Sequence, residues 1–202
     1  MWQTTLLDPT VSKRMSRFDT AGSMRALFLD FDSTISTPTW QAEAGEWAVA
    51  DKRELFASMP PRRQIENLGG EARVSALYAL LHTVSQAGVE LFIVSIGYKA
   101  AFAPHLQTAG LLGFFPPAHV FGQDSPELRS VGFVKGALIQ RIMASRGWAM
   151  EEVLFVDDSA GHIEEASRVC RTLLVSAVSK RTVGGMAEAE MSAIREACLP
   201  TR

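Results

Sequence analysis

The sequence has little cysteine, no excess of basic charge and no long apolar run, and each absence removes a class of protein. Cys170 and Cys198 are its two cysteines. They cannot build a disulfide framework, and they do not form a Cys-x-x-Cys pair. Lysine and arginine number 20 against 22 acidic residues, for a net charge of -2, so the basic surface that nucleic-acid binding needs is missing. No apolar run reaches the length of a membrane span.

These absences lead us to expect a protein of a reducing compartment, the cytoplasm, with no nucleic-acid partner and no membrane partner. Residues 1–24 leave an alternative open. They contain no apolar core of signal-peptide length, but they are hydroxyl-rich and slightly basic, as organelle transit peptides are. A frayed, disordered extension has the same composition. We expect such an extension, with organelle targeting as the alternative.

The chain has 202 residues, of which 47% are hydrophobic and 21% charged, a composition that permits one well-packed domain. Its clearest pattern is a series of short, almost continuously apolar runs, which is typical of buried parallel strands. The runs are Arg25–Phe31, Val89–Ser95, Ala118–Phe121, Val153–Asp157 and Thr172–Ser176.

Segments with helical spacing of apolar residues separate these runs. They are Glu71–Ala87, Val134–Arg146, Ala160–Val169 and a terminal Met186–Ala197. Alternation of strands and helices predicts an α/β fold, a Rossmann-like three-layer sandwich with a mostly parallel sheet. We expect a core over residues 25–180 and a C-terminal helical tail over 181–202.

An insert at about 36–70 interrupts the alternation after the first strand. Residues 39–59 are predicted to form a helix with Trp40 and Trp47 on or near one face, and they end at Pro60-Pro61. The insert is too short to be an independent domain. We expect a small helical cap that shades the ends of the strands without enclosing them.

Polar residues follow the apolar runs where an open α/β sheet has its active site, beyond the carboxyl ends of the strands. Asp30 and Asp32 follow the first run and Asp157 ends the fourth, while Lys135 opens the helix before the fourth. Carboxylates that converge on one edge repel each other unless a cation neutralises them. A hard divalent ion with oxygen ligands fits this set, and Mg²⁺ fits best.

The sequence resembles the haloacid dehalogenase superfamily of phosphotransferases and phosphatases. Asp30–Thr34 matches its first motif, Asp-x-Asp-x-Thr after an apolar strand, and Ser95 matches the second. Lys135 matches the third, and Asp157-Asp158 with the acidic residues beyond it matches the fourth. All four occur in the family's order, which makes a chance match of short motifs improbable.

The resemblance implies a Mg²⁺-dependent phosphomonoester hydrolase that acts on a phosphorylated small molecule or a larger phosphorylated substrate. Asp30 would be the nucleophile that forms an aspartyl-phosphate, and Asp32 the general acid and base. Ser95 would donate a hydrogen bond to the phosphoryl group, and Lys135 would offset the negative charge of the nucleophile and the phosphate. Side chains of Asp30 and Asp157, with the backbone carbonyl of Asp32, would hold Mg²⁺. Thr34 and Asp158 would support the site.

Other activities remain open at this point. A phosphotransferase would use the same residues, and a catalytically inactive binding or regulatory protein could retain them. The family's dehalogenases and phosphonatases lack an aspartate at the position of Asp32, and its cation pumps have many membrane helices. A receiver-type signalling domain would place its lysine after the last strand instead of before Asp157. Nothing in the sequence indicates the physiological substrate or the oligomeric state.

Three residues bear on how well the chain matches the four motifs: one departs from the family's pattern, and two are further candidates for the site. Many relatives have glycine or asparagine directly after the second-motif residue, where this chain has the bulky Ile96. Lys99 is a rival to Lys135, although it lies in the wrong motif. His162 lies one turn beyond Asp158 and could contact the metal loop, although a histidine on a helix face more often has a purely structural role.

Overall fold

The computed structural model describes residues 23–38 and 59–199. Five strands form one sheet in the order β3-β2-β1-β4-β5, and every neighbouring pair is parallel. The strands are β1 (Ala26–Leu29), β2 (Glu90–Val94), β3 (Val120–Phe121), β4 (Val153–Asp157) and β5 (Arg171–Leu174). Each lies within a predicted apolar run or one residue from it. The predicted α/β fold is confirmed.

Eight α-helices connect or follow the strands in the described part of the chain. They are α1 (Pro61–Asn67), α2 (Glu71–Gln86), α3 (Lys99–Thr108), α4 (Pro126–Ser130), α5 (Lys135–Arg146), α6 (Ala160–Ala166), α7 (Ala177–Thr182) and α8 (Glu188–Cys198). Short 3₁₀ turns cover Leu112–Phe114, Pro117–His119 and Met150–Glu152. The sequence analysis predicted α2, α5, α6 and α8 as helices.

The two faces of the sheet carry separate hydrophobic cores, because successive side chains of a strand point to opposite faces. Leu27 and Leu29 of β1 join a core that includes Leu77 of α2, Phe102 of α3 and Ile194 of α8. On the other face, Ala26 and Phe28 join a core formed with α4, α5 and α6; its helix residues are Leu128, Leu138, Ile139, Met143 and Ala166. These are the three layers that the sequence predicts.

The central position of β1 decides which residues meet at the sheet edge. Leu29 at its end is paired with Ile93 of β2 on one side and Val156 of β4 on the other. The residues that follow β1 therefore lie between those that follow β2 and β4.

The end of the insert packs on the core through α1, which contacts α3. Asn67 of α1 lies 3.3 Å from Nε2 of the buried His105 of α3, and Thr108 donates a hydrogen bond to Gln64. The predicted helix over residues 39–59 lies almost wholly outside the described residues, and so do Trp40, Trp47 and most of the extension 1–24. The proposed boundaries of core, insert and tail stay predictions.

None of the helices in residues 23–38 and 59–199 combines the length and the apolar character that a membrane crossing requires.

Both cysteine thiols should resist reaction with a disulfide reagent in the folded protein. Cys170 and Cys198 are buried, and burial raises the pKa of each thiol to about 12, with Arg171 opposing the rise at Cys198. Because the thiolate is the reactive form, neither should react with a disulfide reagent at pH 8 within minutes, whereas both should react after unfolding. Absorbance of the released thiolate measures this, and rapid reaction of the native protein would contradict the buried placement.

Candidate active site

The pairing of β1 with β4 brings two of the predicted carboxylates together. Asp30 follows β1, and its N–H donates a hydrogen bond of 2.9 Å to the carbonyl of Val156. Asp157 is the last residue of β4. Both are buried, Asp30 at 3% exposure and Asp157 at 0%. The parallel register therefore places two carboxylates side by side at the carboxyl edge of the sheet.

Lys135 bridges these carboxylates from the first residue of α5. Its Nζ lies 2.6 Å from Oδ1 of Asp30 and 2.7 Å from Oδ2 of Asp157, and the lysine is 1% exposed. Gly136, the next residue, lets α5 approach α6 closely, because a Cβ there would lie 3.2 Å from Cα of Ala166. The structure thus places three of the predicted residues, separated by up to 127 positions in sequence (30 to 157), in direct contact.

The charges of the cluster are unequally stabilised. Burial raises the pKa of Asp30 to about 7; Lys135 opposes this rise, while Asp157 and Asp32 add to it. Burial alone would raise the pKa of Asp157, but hydrogen bonds from His162 and Lys135 and the charge of Lys135 hold it below its usual value. For Lys135, burial lowers the pKa, and the two carboxylates outweigh that effect and raise it. Lys135 and Asp157 therefore form an ion pair in which both groups are charged. The positive charge near Asp30 is not enough to offset the burial of its carboxylate.

The site has the donor set for a divalent cation. Asp30, Asp157 and Asp158 each offer an oxygen atom, and these atoms lie within 4.8 Å of one another. Lys135 contacts Asp30 and Asp157, and a second lysine, Lys180, contacts Asp158. Burial is the main cause of the raised pKa of Asp30, and the negative charges of Asp157 and Asp32 add to it. Closely spaced carboxylate oxygens of this kind suit Mg²⁺, which binds through a few carboxylates and completes its shell with water or substrate oxygens.

Asp32 contacts the loop after β2. The hydroxyl of Ser95 donates a hydrogen bond of 3.2 Å to Oδ2 of Asp32, and the same Oγ accepts one of 3.0 Å from the N–H of Gly97. A Cβ at Gly97 would lie 2.8 Å from Oδ2 of Asp32. Gly97 therefore permits the approach of Asp32 to Ser95. The sequence analysis missed Gly97, although a glycine beside the second motif was a visible signal.

Ile96 fits this loop, because its side chain packs partly buried against the core formed with α4, α5 and α6. Lys99 points elsewhere: its Nζ donates to the carbonyl of Pro117 at 3.0 Å. Asp124 accepts the N–H of Lys99 at 2.7 Å and so caps the start of α3. Lys135, and not Lys99, is the lysine in contact with Asp30.

The loop between Asp30 and Ser36 has an unusual local conformation. Ser33 has a φ of +54°, in the left-handed region that non-glycine residues rarely adopt. Phe31 anchors the loop by stacking on Phe102 of α3, with ring centroids 5.0 Å apart. Thr34 is fully buried, and its hydroxyl has no hydrogen-bond partner among the described residues. The supporting role expected of Thr34 stays a prediction; its backbone carbonyl accepts hydrogen bonds that are described below.

Two side chains contact the fourth motif in ways that the sequence did not settle. Nδ1 of His162 lies 3.2 Å from Oδ2 of Asp157, so this histidine contacts the carboxylate that ends β4. Lys180 of α7 donates to the carbonyl of Asp158 at 3.0 Å and lies 3.3 Å from its Oδ2. Lys180 was missed, because no pattern in the sequence connects α7 to the loop after β4.

Comparison with known proteins finds similarity in structure. No protein-family model matches the chain, and no curated protein matches it. Among solved structures, a HAD family hydrolase from Deinococcus radiodurans R1 with bound phosphate and sodium has a TM-score of 0.51 and 19% identity. The match covers 88% of this chain and 98% of that one.

Two further solved structures share the fold. A structure described as a dehalogenase has a TM-score of 0.52 and 13% identity, with 89% of this chain and 99% of that chain covered. The HAD domain of the effector protein Lem4 from Legionella pneumophila has a TM-score of 0.51 and 12% identity, with 88% and 96% covered. At such low identities these matches establish the fold, and the activity has to be argued from the site.

Proposed function

We propose that this chain, which has the haloacid dehalogenase fold that its four motifs predict, is a Mg²⁺-dependent phosphomonoester hydrolase. The observation that carries the proposal is that two carboxylates on one loop have different partners. Asp30 contacts the ammonium of Lys135 at 2.6 Å, whereas Asp32 contacts the hydroxyl of Ser95 at 3.2 Å. Neighbouring carboxyl groups in different environments can serve different roles, one as nucleophile and the other as acid and base.

In the first step, a carboxylate oxygen of Asp30 forms a bond to phosphorus, and the bond from phosphorus to the ester oxygen breaks. The leaving alcohol takes a proton from the carboxyl group of Asp32. Lys135 fixes the orientation of the attacking carboxylate through Oδ1, and its charge offsets part of the charge on the phosphoryl group. The products are an alcohol and an aspartyl-phosphate on Asp30.

In the second step, Asp32, now ionised, accepts a proton from a water molecule that attacks phosphorus. The bond between phosphorus and the Asp30 oxygen breaks, which releases phosphate and restores both side chains. Ser95 keeps Asp32 beside the reacting atoms in both steps, and Gly97 keeps Ser95 in place by donating to its hydroxyl.

Side chains of Asp30 and Asp157 and the backbone carbonyl of Asp32 would hold the Mg²⁺ ion, with Asp158 as a further oxygen donor nearby. When bound, the ion supplies the positive charge that lets an anionic phosphate approach an anionic carboxylate. The bound phosphate of the Deinococcus radiodurans neighbour supports a phosphorylated substrate here. The substrate class is a phosphorylated small molecule or a larger phosphorylated partner.

The test is turnover of p-nitrophenyl phosphate by the purified protein, with Mg²⁺ and with a chelator. We expect Mg²⁺-dependent release of p-nitrophenol and phosphate in equal amounts. A phosphotransferase would release less phosphate than p-nitrophenol when an acceptor alcohol is present. An inactive binding protein would release neither product, and that result would overturn the proposal. A panel of phosphorylated metabolites, peptides and nucleotides then identifies the substrate class.

A further inference from the structure

Arg73, in the first turn of α2, carries a buried charge that takes no part in the carboxylate cluster. The residue is 8% exposed, and burial lowers its pKa to about 10, so it is charged at pH 7. Its guanidinium donates to four backbone carbonyls: those of Thr34, Ile35, Leu68 and Met186. A buried guanidinium satisfied by this many carbonyls fixes the positions of the segments that supply them.

The four carbonyls come from three separate segments. Thr34 and Ile35 end the loop that carries Asp30 and Asp32, and Leu68 follows α1. Met186 lies between α7 and α8 and is bonded to both Thr34 and Arg73. Its N–H donates to the carbonyl of Thr34 at 3.0 Å, and its carbonyl accepts from Nε of Arg73 at 3.1 Å. The carbonyl of Thr34 also accepts from Nη2 of Arg73 at 2.9 Å. The segment before α8 is thereby bonded directly to the loop of the active site.

Two glycines allow this close approach. A Cβ at Gly185 would lie 2.6 Å from Nη2 of Arg73, 2.7 Å from the carbonyl oxygen of Ser36 and 2.8 Å from that of Thr34. Gly184 has a φ of +85°, and a Cβ there would lie 2.7 Å from Cδ of Pro38. Any side chain at Gly185 would therefore push the segment away from the loop or displace the guanidinium.

We propose that Arg73 is a positioning residue for the loop over residues 30–36, and that the segment over residues 184–186 is part of the support of the active site. The effect on catalysis rests on the proposed phosphatase function, whereas the effect on the loop does not. Arg73 holds the carbonyl of Thr34, two positions after Asp32, while the N–H of Asp30 is bonded to β4 at the other end of the loop.

The loop needs support at both ends because its conformation is strained. The left-handed φ of Ser33 is unfavourable for a residue with a side chain and persists only where the surroundings enforce it. If the hold on Thr34 is lost, Ser33 can relax and Asp32 can move from its place beside Ser95. A misplacement of about 1 Å in a catalytic group can lower the rate about a hundredfold.

The experiment compares Arg73→Lys, Arg73→Ala and Gly185→Ala with the control Gly113→Ala, at a glycine whose Cβ would meet nothing within 4 Å. Hydrogen exchange of the peptides covering residues 31–37 and 184–188 reports on the loop and its support. Kinetics with p-nitrophenyl phosphate at saturating Mg²⁺ separate kcat from KM. Guanidinium ion, added below denaturing concentrations to Arg73→Ala, tests for chemical rescue against equal sodium chloride.

We expect faster exchange in both peptides for the three variants and not for Gly113→Ala. The kcat should fall at least about tenfold, with KM changed less than about threefold, because substrate contacts remain while Asp32 is displaced. Guanidinium, but not sodium chloride, should restore part of the kcat of Arg73→Ala. A purely structural role would lower thermal stability without the kcat-selective loss and without rescue.

The two proposals fail in distinguishable ways. Unchanged exchange in residues 31–37 for Arg73→Ala overturns the positioning role, whatever the activity. Unchanged kcat alongside faster exchange also overturns it, because the loop would then move without consequence. If the wild-type protein has no turnover, the phosphatase proposal fails, and faster exchange in the variants still establishes the support of the loop.

Discussion

Replacing Asp30 with asparagine is expected to abolish phosphatase turnover while the protein stays folded. The amide is nearly isosteric with the carboxyl group but cannot form the aspartyl-phosphate, so kcat should fall by about 10⁴-fold or more. The fold should survive, because burial raises the pKa of Asp30 to about 7 and so disfavours its ionised form, and because Lys135 retains its contact with Asp157. Initial rates with p-nitrophenyl phosphate and a thermal melt in the presence of a chelator measure both effects.

Glu127→Gln is the matched control for this variant. Glu127 is exposed on α4 and belongs to none of the four motifs, so the same change from carboxyl to amide removes a charge without touching the cluster. We expect wild-type turnover from it. Near-normal activity of Asp30→Asn would eliminate Asp30 as nucleophile, and a melting temperature far below that of the wild type would show that Asp30 is needed for folding instead.

Replacing Asp157 with asparagine should raise the Mg²⁺ concentration for half-maximal activity by at least about tenfold. Asp157 is fully buried, and its low pKa keeps it ionised for binding a cation. Asparagine keeps the size of the side chain and an oxygen acceptor for the N–H of Ser159, which donates at 2.7 Å, but it removes the negative charge. A Mg²⁺ titration of initial rates, with melting curves at low and high Mg²⁺, measures the change.

Glu151→Gln provides the comparison at the opposite end of the same strand. Glu151 is exposed in the turn before β4, far from the carboxyl edge of the sheet. Its Mg²⁺ titration should overlay that of the wild type. If Asp157→Asn gives the same titration curve as the wild type, Asp157 is not a metal ligand. Its role would then be limited to pairing with the charge of Lys135.

The strands and the major helices were predictable from the sequence because their signals are local. Apolar runs such as Val153–Asp157 and the 3.6-residue spacing of Glu71–Gln86 report directly on which side chains must be buried. The four motifs, each placed after or before a strand, then predicted the haloacid dehalogenase fold. The 3₁₀ turns and the helices α1, α3, α4 and α7 were not predicted. The helices α1, α4 and α7 have seven residues or fewer and carry too little periodicity, and α3 contains Pro104, which usually ends or kinks a helix.

The contacts within the candidate site were less accessible to sequence reasoning. The order of the motifs already favoured Lys135 over Lys99, but the contacts of Lys135 with Asp30 and of Lys99 with Pro117 depend on how α5 and α3 approach the sheet. The contact of His162 with Asp157 depends on the rotation of α6 about its axis. Neither quantity is encoded in the spacing of residues along the chain.

The sequence by itself determined an α/β fold with acidic residues at the carboxyl ends of β1 and β4, because burial and strand ends are local properties of the chain. Tertiary structure decided that β1 lies between β2 and β4, so that Asp30 meets Lys135 and Asp157 while Asp32 meets Ser95. It also decided that Arg73 and Gly185, which lie 37 or more positions after the loop in sequence, pack against it. Such contacts depend on strand order and on the reach of individual side chains, and these emerge only when the whole chain is packed.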